Sequence, residues 1–283
     1  MRPNGQVTSA GGLAPFCHVG WGYRTQDEFD ARAGEYLADG LAQGQCVVFV
    51  GSGTPEQLTE RLRGIPGGAT ALAAGCVGVR SIEEFVVLTP DGVVDPEASL
   101  ARARSAVQLV LDRGFTGLRG IIDATAIVRT EEQRDAVARL EHRPDRLMGA
   151  APVSAFCAFD LEILGPAAEE LLCLHPFTNT DGGFRFFTGE DGSLVLTGEL
   201  DLATRTLFEV TSRRLESALG DEPAGDLVID IGEVDYLEHN ALLSLDRLAE
   251  RGRRSVVLRD AHPSIARIAG LLHLPHTRIE VAS

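Results

Sequence analysis

The sequence predicts an α/β protein of two domains, and three observations carry that prediction. Capped amphipathic helices alternate with short apolar strands, the 283-residue chain exceeds the usual span of one domain, and a polar, glycine-bearing stretch at 178–183 divides two regions of different pattern. Helices between apolar strands imply a parallel sheet covered on both faces.

Thr25-Gln26-Asp27-Glu28 has the form of a capping box, in which hydroxyl and carboxylate satisfy backbone donors at a helix start. Phe29, Ala33, Leu37, Gly40 and Leu41 follow at helical spacing, and Gly44 is placed to end that helix. Cys46 to Val50 reads as a strand buried on both faces, and Thr54-Pro55-Glu56-Gln57 opens another helix. Leu118 to Asp123 is a strand ending in a carboxylate. Thr130-Glu131-Glu132-Gln133 is a further capping box, with its helix running to about His142 because Pro144 disfavours helical geometry at Arg143. Val153 to Asp160 is the next strand. Beyond the break, Phe184–Thr188 and Ser193–Glu199 pair as a hairpin through Glu190-Asp191-Gly192. Then come a helix from about Ala203 to Leu219, strand Leu227–Ile231, helix Asn240–Glu250, strand Ser255–Arg259, helix Ser264–Leu271 and a short strand near Ile279.

Composition narrows the function. Net charge is −15 and all 26 basic residues are Arg, so phosphate backbones and anionic lipid are repelled; nucleic acid and membrane are not expected partners. Without Lys, a Walker A loop, a Schiff-base enzyme and a protein-kinase core are excluded in their ordinary forms. Five scattered cysteines suit buried thiols in a reducing cytoplasm better than a disulfide frame. Residues 1–12, rich in small residues but lacking a basic start and apolar core, read as a flexible tail and not a signal peptide. A soluble, cytoplasmic protein is the expectation.

Gly198-Glu199-Leu200-Asp201, Val228-Ile229-Asp230-Ile231, the Tyr236–Leu243 segment and Leu271-Leu272-His273-Leu274 occur in the order of a STAS domain, which 184–283 resembles. This is the fold of anti-sigma-factor antagonists, a mixed sheet with helices. The resemblance implies a partner-binding surface at Asp201, Glu238, His239 and Asn240, read by an anti-sigma factor or a serine kinase of the anti-sigma type. In the family the loop usually reads Asp-Ser-Ser-Gly-Leu, with one hydroxyl phosphorylated. Here Glu238 stands for Asp, His239 and Asn240 for the hydroxyl residues, and Ala241 for Gly, so no oxygen acceptor remains. Asn240 reads as a helix N-cap and Asp201 equally as a cap; His239 could titrate or carry a labile phosphate. The loop is either drifted capping sequence or a permanently unphosphorylated docking surface.

Residues 13–177 resemble the MEDS sensory domain. The matches are Cys17-His18, Tyr23, Tyr36 to Gly44, Leu140-Glu141, Phe156 to Asp160 and His175-Pro176. The family resembles RecA and KaiC type ATPases, which implies a parallel sheet flanked by helices. Val19 to Thr25 would then stand where a phosphate loop does and Asp123 where a metal-coordinating acid does, but without the lysine, and with Trp21 and Tyr23 in the loop, hydrolysis looks lost. His18, Gly20, Tyr23, Asp123, Glu141 and His175 are the groups expected near a surviving pocket for a small-molecule ligand. His18 and His175 could equally be hydrogen-bonded core histidines, and Glu141 and Asp123 could pair with Arg119 or Arg143. Cys17 beside His18 invites a metal reading, but adjacent residues rarely share an ion, so no metal or cofactor is expected.

The whole predicts a non-enzymatic signalling regulator: a sensory domain at 13–177, a linker at 178–183 and a partner-binding domain at 184–283. A degenerate nucleotide-binding or weakly hydrolytic protein, or a stressosome-like homo-oligomeric scaffold, is the alternative.

Overall fold

The computed structural model describes residues 3–13, 16–142, 151–189, 191–219 and 225–282. The chain forms two compact units, Pro3–Thr180 and Asp181–Ser283. Among the described residues no helix is long and apolar enough to cross a membrane.

The first unit is built on seven strands: β1 (Gly5–Gln6), β2 (His18–Tyr23), β3 (Cys46–Gly51), β4 (Val77–Ser81), β5 (Leu118–Asp123), β6 (Val153–Asp160) and β7 (Phe177–Thr178). Their order is β1-β7-β2-β6-β5-β3-β4, and every pairing is parallel. Parallel neighbours need crossovers, and helices supply most of them. These are α1 (Gln26–Ala42), α2 (Pro55–Gly64), α3 (Gly68–Ala73), α4 (Ile82–Phe85), α5 (Pro96–Asp112), α6 (Glu131–Glu141), α7 (Leu161–Leu164) and α8 (Glu169–Leu172). Thr54 and Thr130 each form a complete capping box, whereas Thr25 accepts from Glu28 N–H while the Glu28 carboxylate turns to Arg24 N–H. Among the elements that escape the sequence reading are β4, α4 with its own Ser81–Glu84 capping box, and α5, which starts at N-cap Asp95 with Pro96 in its first turn. Arg143 and Pro144 lie outside the described residues.

Residues 1–12 are not the expected tail where the structure describes them. Gly5 and Gln6 extend the sheet beside Phe177 and Thr178, and Glu35 accepts from the Ser9 hydroxyl and Ala10 N–H at 2.8 and 2.9 Å. The β7 edge that would otherwise be open is thereby paired. The expected linker also begins later than 178. Thr178 is in β7, and the Asn179 amide both accepts from Gly22 N–H and donates to Gly22 O, at 2.8 Å each.

Side chains of successive strand residues point to opposite faces, and the two faces of this sheet differ in kind. Trp21, Phe49, Ile121 and Phe156 pack with Phe29, Tyr36 and Leu37 of α1 into the main core. Arg119 is also fully buried there. Its guanidinium lies 4.2 Å from the Tyr36 ring centroid, Nε donates to Gln45 Oε1 at 2.6 Å and Nη1 donates to Tyr36 O at 3.2 Å. Gly40 leaves room for this stem: an added Cβ would lie 2.7 Å from Arg119 Cδ and 2.9 Å from Val47 Cγ2.

The second unit holds β8 (Phe184–Thr188), β9 (Leu194–Leu200), β10 (Leu227–Leu237), β11 (Val256–Ala261) and β12 (Thr277–Val281), ordered β12-β11-β10-β9-β8. Only β8 runs antiparallel to its neighbour. Its helices are α9 (Arg205–Leu219), α10 (His239–Arg251) and α11 (Pro263–Ala269). The predicted hairpin forms, with Gly189 N–H donating to Ser193 O at 2.8 Å; Glu190 of its turn lies outside the described residues. Gly198 at the start of the Gly-Glu-Leu-Asp run has φ 87°, and a Cβ there would meet Gly183 O at 2.3 Å, so only glycine fits. Strand β10 outruns its predicted end at Ile231, because irregular register at Asp230/Glu233 and Val234/Tyr236 lets it keep pairing with β9 as far as Leu237.

Gly40→Ala tests the packing of α1. Helix propensity alone gains about 1 kcal/mol from this change, whereas overpacking against Arg119 and Val47 costs about 1–3 kcal/mol. A lower melting temperature by circular dichroism is expected; a higher one would mean that the arginine stem yields.

Candidate functional site

The face of the sheet opposite the main core carries small side chains. In register across three strands, His18 aligns with Ala155 and Ala155 with Gly120, while Gly20 aligns with Cys157 and Cys157 with Ile122. Helix α5 meets this face with Ala103 and Ala106, so strand and helix do not close on each other. A cavity of about 450 Å³ remains, with Gly78, Gly120 and Ala155 at its floor and Val48, Leu118, Ile122, Leu100 and Val110 among its apolar walls. Leu109, 60 % exposed, borders it on the solvent side.

His18, Glu141 and Cys157 form a polar cluster in the lining of the cavity, which also carries Arg80, Glu84, Arg102 and Arg113. His18 opens β2, Cys157 lies in β6, and Glu141 closes α6; His175 follows α8 and stands behind them. All four are buried. His18 Nε2 is 3.1 Å from Glu141 Oε2 and 3.6 Å from Cys157 Sγ, and His175 Nε2 is 3.7 Å from the same Glu141 oxygen. The imidazole rings are tilted at 55° with centroids 4.3 Å apart. His175 Nδ1 is 3.0 Å from Leu171 O. A carbonyl can only accept, so Nδ1 carries a proton, and Nε2 is turned toward Glu141.

Of the six expected ligand-binding residues, His18, Glu141 and His175 converge here. Gly20 acts by absence: a Cβ on it would lie 2.8 Å from His175 Cγ, so the glycine makes the space this ring fills. The phosphate-loop reading of Val19 to Thr25 is corrected, because His18–Tyr23 is a strand and only Arg24 and Thr25 connect it to α1. Its alternation of bulky residues with glycine is the period of a strand packed against unlike layers. Cys17 is not the thiol beside His18 either. It belongs with Val19 and Trp21 to the core face, where burial pushes its thiol up, and Cys157 takes the place beside the imidazole. Sequence reasoning missed Cys157 because β6 meets β2 only in the folded sheet.

Tyr23 and Asp123 form a separate group that does not line the cavity. Asp123 Oδ2 accepts from Tyr23 Oη at 3.2 Å and from Arg61 Nη1 at 3.3 Å, and Oδ1 accepts from Thr125 N–H at 3.3 Å. The cation that pairs with Asp123 is therefore Arg61, which also lies 4.6 Å from the Phe29 ring centroid, and not Arg119 on its Tyr36 ring. Burial and then the Asp123 charge push the Tyr23 phenol well above its usual range.

In the second unit Asp201, Glu238 and Asn240 share a shallow depression with Arg205 and Ser244, while His239 is exposed beside it. Asp201 Oδ1 accepts from Ala203 and Thr204 N–H at 2.9 and 3.1 Å, and the Thr204 amide in particular holds its carboxyl below the usual range. Glu238 takes a two-point contact from Arg205, Nε at 2.8 Å and Nη2 at 3.0 Å, which likewise lowers its carboxyl. The N-cap of α10 is Glu238 and not Asn240, because Glu238 N–H donates to Leu200 O at 2.9 Å and keeps that residue extended at the strand end.

Asp123→Asn removes the charge facing both Tyr23 and Arg61. Part of the tyrosinate absorbance rise in an alkaline titration is expected to move to lower pH, and unfolding to become easier by about 1–3 kcal/mol. An unchanged titration would show that burial alone governs the phenol.

No curated protein matches this chain. A solved protein from Pyrococcus horikoshii OT3 is similar at 9 % identity, covering 67 % of this chain and 90 % of its own with a TM-score of 0.39. The family model described as MEDS, methanogen/methylotroph, DcmR sensory domain, matches residues 17–176. That span is more than half of the 283 residues and contains His18, Glu141, Cys157 and His175, and the chain belongs to the MEDS family.

Proposed function

We propose that this protein is a non-enzymatic signalling regulator whose sensory domain takes a small, mainly apolar molecule with one polar group into the cavity beside α5. The observation that carries the reading is the cavity itself, about 450 Å³ with apolar walls and a histidine–carboxylate–thiol cluster. Its size lies within the range of about 300–1,000 Å³ usual for small-molecule sites. Its walls favour an apolar body by burial, and its polar cluster favours a ligand with a matching donor or acceptor. A nucleotide reading lacks its phosphate loop, since the glycines of Val19 to Thr25 lie in a strand.

Residues 184–283 then serve as a STAS output domain that docks an anti-sigma factor or a serine kinase of the anti-sigma type. What supports this is the run of motifs in the sequence and the gathering of Asp201, Glu238 and Asn240 at one depression, with His239 exposed at its side. His239 and Asn240 carry no hydroxyl, so control passes from phosphorylation of this loop to ligand occupancy. For a ligand to act, its affinity must differ between two states of the protein.

Two measurements test the reading. A ligand at a hundredfold excess over its Kd stabilises the folded state by about 2.7 kcal/mol, so a thermal-shift screen of small alcohols, thiols, amines and halocarbons is expected to find compounds that raise the melting temperature. Ala106→Trp, which fills the cavity, is expected to abolish that gain; failure of every compound on the wild-type chain would remove the sensory reading. For the output domain, a candidate anti-sigma kinase with ATP is expected to bind the wild-type chain without modifying 238–242 and to phosphorylate Asn240→Ser at the new hydroxyl. Phosphate on the wild-type loop, or no binding, would overturn that half.

A further inference from the structure

We propose that His18, Glu141, Cys157 and His175 form a binding site for a single divalent transition-metal cation, zinc above others, beside the cavity. The inference does not depend on whether the cavity takes an organic ligand.

The geometry comes first. One donor atom from each of the four residues lies within 4.8 Å of all the others. Tetrahedral zinc with its usual bond lengths sets donor separations of about 3.4 Å between imidazole nitrogen and carboxylate oxygen, and about 3.6 Å between imidazole nitrogen and thiolate sulfur. The three separations at hand are 3.1 Å and 3.7 Å for the two nitrogen–oxygen pairs and 3.6 Å for the nitrogen–sulfur pair. These three pairs lie within a few tenths of an ångström of what a cation at their centre requires, and the remaining pairs lie within 4.8 Å.

The surroundings orient the donors. The Leu171 carbonyl accepts from His175 Nδ1 and turns Nε2 toward Glu141, the arrangement in which metal-bound histidines are held by an outer partner. Gly20 in mid-strand gives that ring its place, since any larger residue would collide with it. The four donors come from β2, β6, the end of α6 and the turn after α8, so the folded sheet, and not a local loop, assembles the set.

The charges also close. Thiolate and carboxylate together carry two negative charges, and with two neutral imidazoles they make an uncharged complex with a divalent cation, which suits a buried position. Loading releases the Cys157 proton to solvent, so uptake weakens as pH falls. A soft thiolate with two imidazoles selects zinc, and cobalt as its spectroscopic substitute, over magnesium or calcium. Because His18, Glu141 and Cys157 border the cavity, the cation would stand as a Lewis acid at its lining.

The test uses the full chain. After removal of metal by chelator and refolding checks by circular dichroism, zinc alone and cobalt alone are titrated in. One equivalent of each is expected, with cobalt giving the visible bands of a tetrahedral site and a thiolate-to-metal charge-transfer band in the near ultraviolet. Cys157→Ser is expected to lose the charge-transfer band and at least about 100-fold in zinc affinity, while Cys17→Ser, on the opposite face, keeps both. His175→Gln is expected to weaken zinc binding similarly. A folded wild-type chain that takes up no equivalent of zinc or cobalt, or whose cobalt complex lacks the thiolate band, overturns the site and leaves a hydrogen-bonded polar cluster. Cobalt binding unaltered by Cys157→Ser has the same force.

Discussion

The period-two alternation of side chains in the central strands is the constraint from which the rest of the sensory unit follows. In β2 it separates Val19, Trp21 and Tyr23 from His18 and Gly20, and in β6 it separates Phe156 from Ala155 and Cys157. Parallel register then sums these choices across neighbours. One face becomes a dense aromatic layer under α1; the other becomes a thin layer of glycine, alanine and polar residues that α5 and α6 cover without filling. The cavity and the buried histidines are consequences of one pattern, and slipping β2 by a single residue would exchange them for the core.

Each face also holds a buried cationic or titratable group, managed differently. Arg119 meets an aromatic face, an amide oxygen and a backbone carbonyl. Guanidinium suits this because its planar, delocalised charge is weakly hydrated and stacks on a ring. On the other face His18, Glu141, Cys157 and His175 are buried against one another, with His18 Nε2 3.1 Å from Glu141 Oε2 and 3.6 Å from Cys157 Sγ.

Much of the scaffold was legible in the sequence. Thr54 and Thr130 announce their helices because a capping box is local chemistry, and β3, β5 and β6 stand out as apolar runs. His18, Glu141 and His175 could be named as candidates, but their convergence could not, since it depends on which strands become neighbours. Cys157 was hidden for that reason, and Tyr23 and Asp123 were assigned to the same pocket although they join Arg61 in another group. The glycines of β2 misled most: a glycine-rich run before a capped helix can cradle a phosphate or can make room for side chains from another layer, and only the position of the His175 ring distinguishes these. In the second unit, Asn240 has the right chemistry for a cap, but the Leu200 carbonyl decides where the strand releases the chain.

His175 has one more consequence. It stands just ahead of β7, the strand that pairs with both β1 and β2 and leads directly to the unit boundary after Thr180. Its ring rests on the bare backbone of Gly20, while Asn179, on the far side of β7, is pinned to the backbone of Gly22. The exit of the chain is thus clasped to one strand at two points two residues apart, with the histidine ring as the inner clasp. A tilt of that ring would have almost no slack chain in which to dissipate before it reached the last residues of the unit.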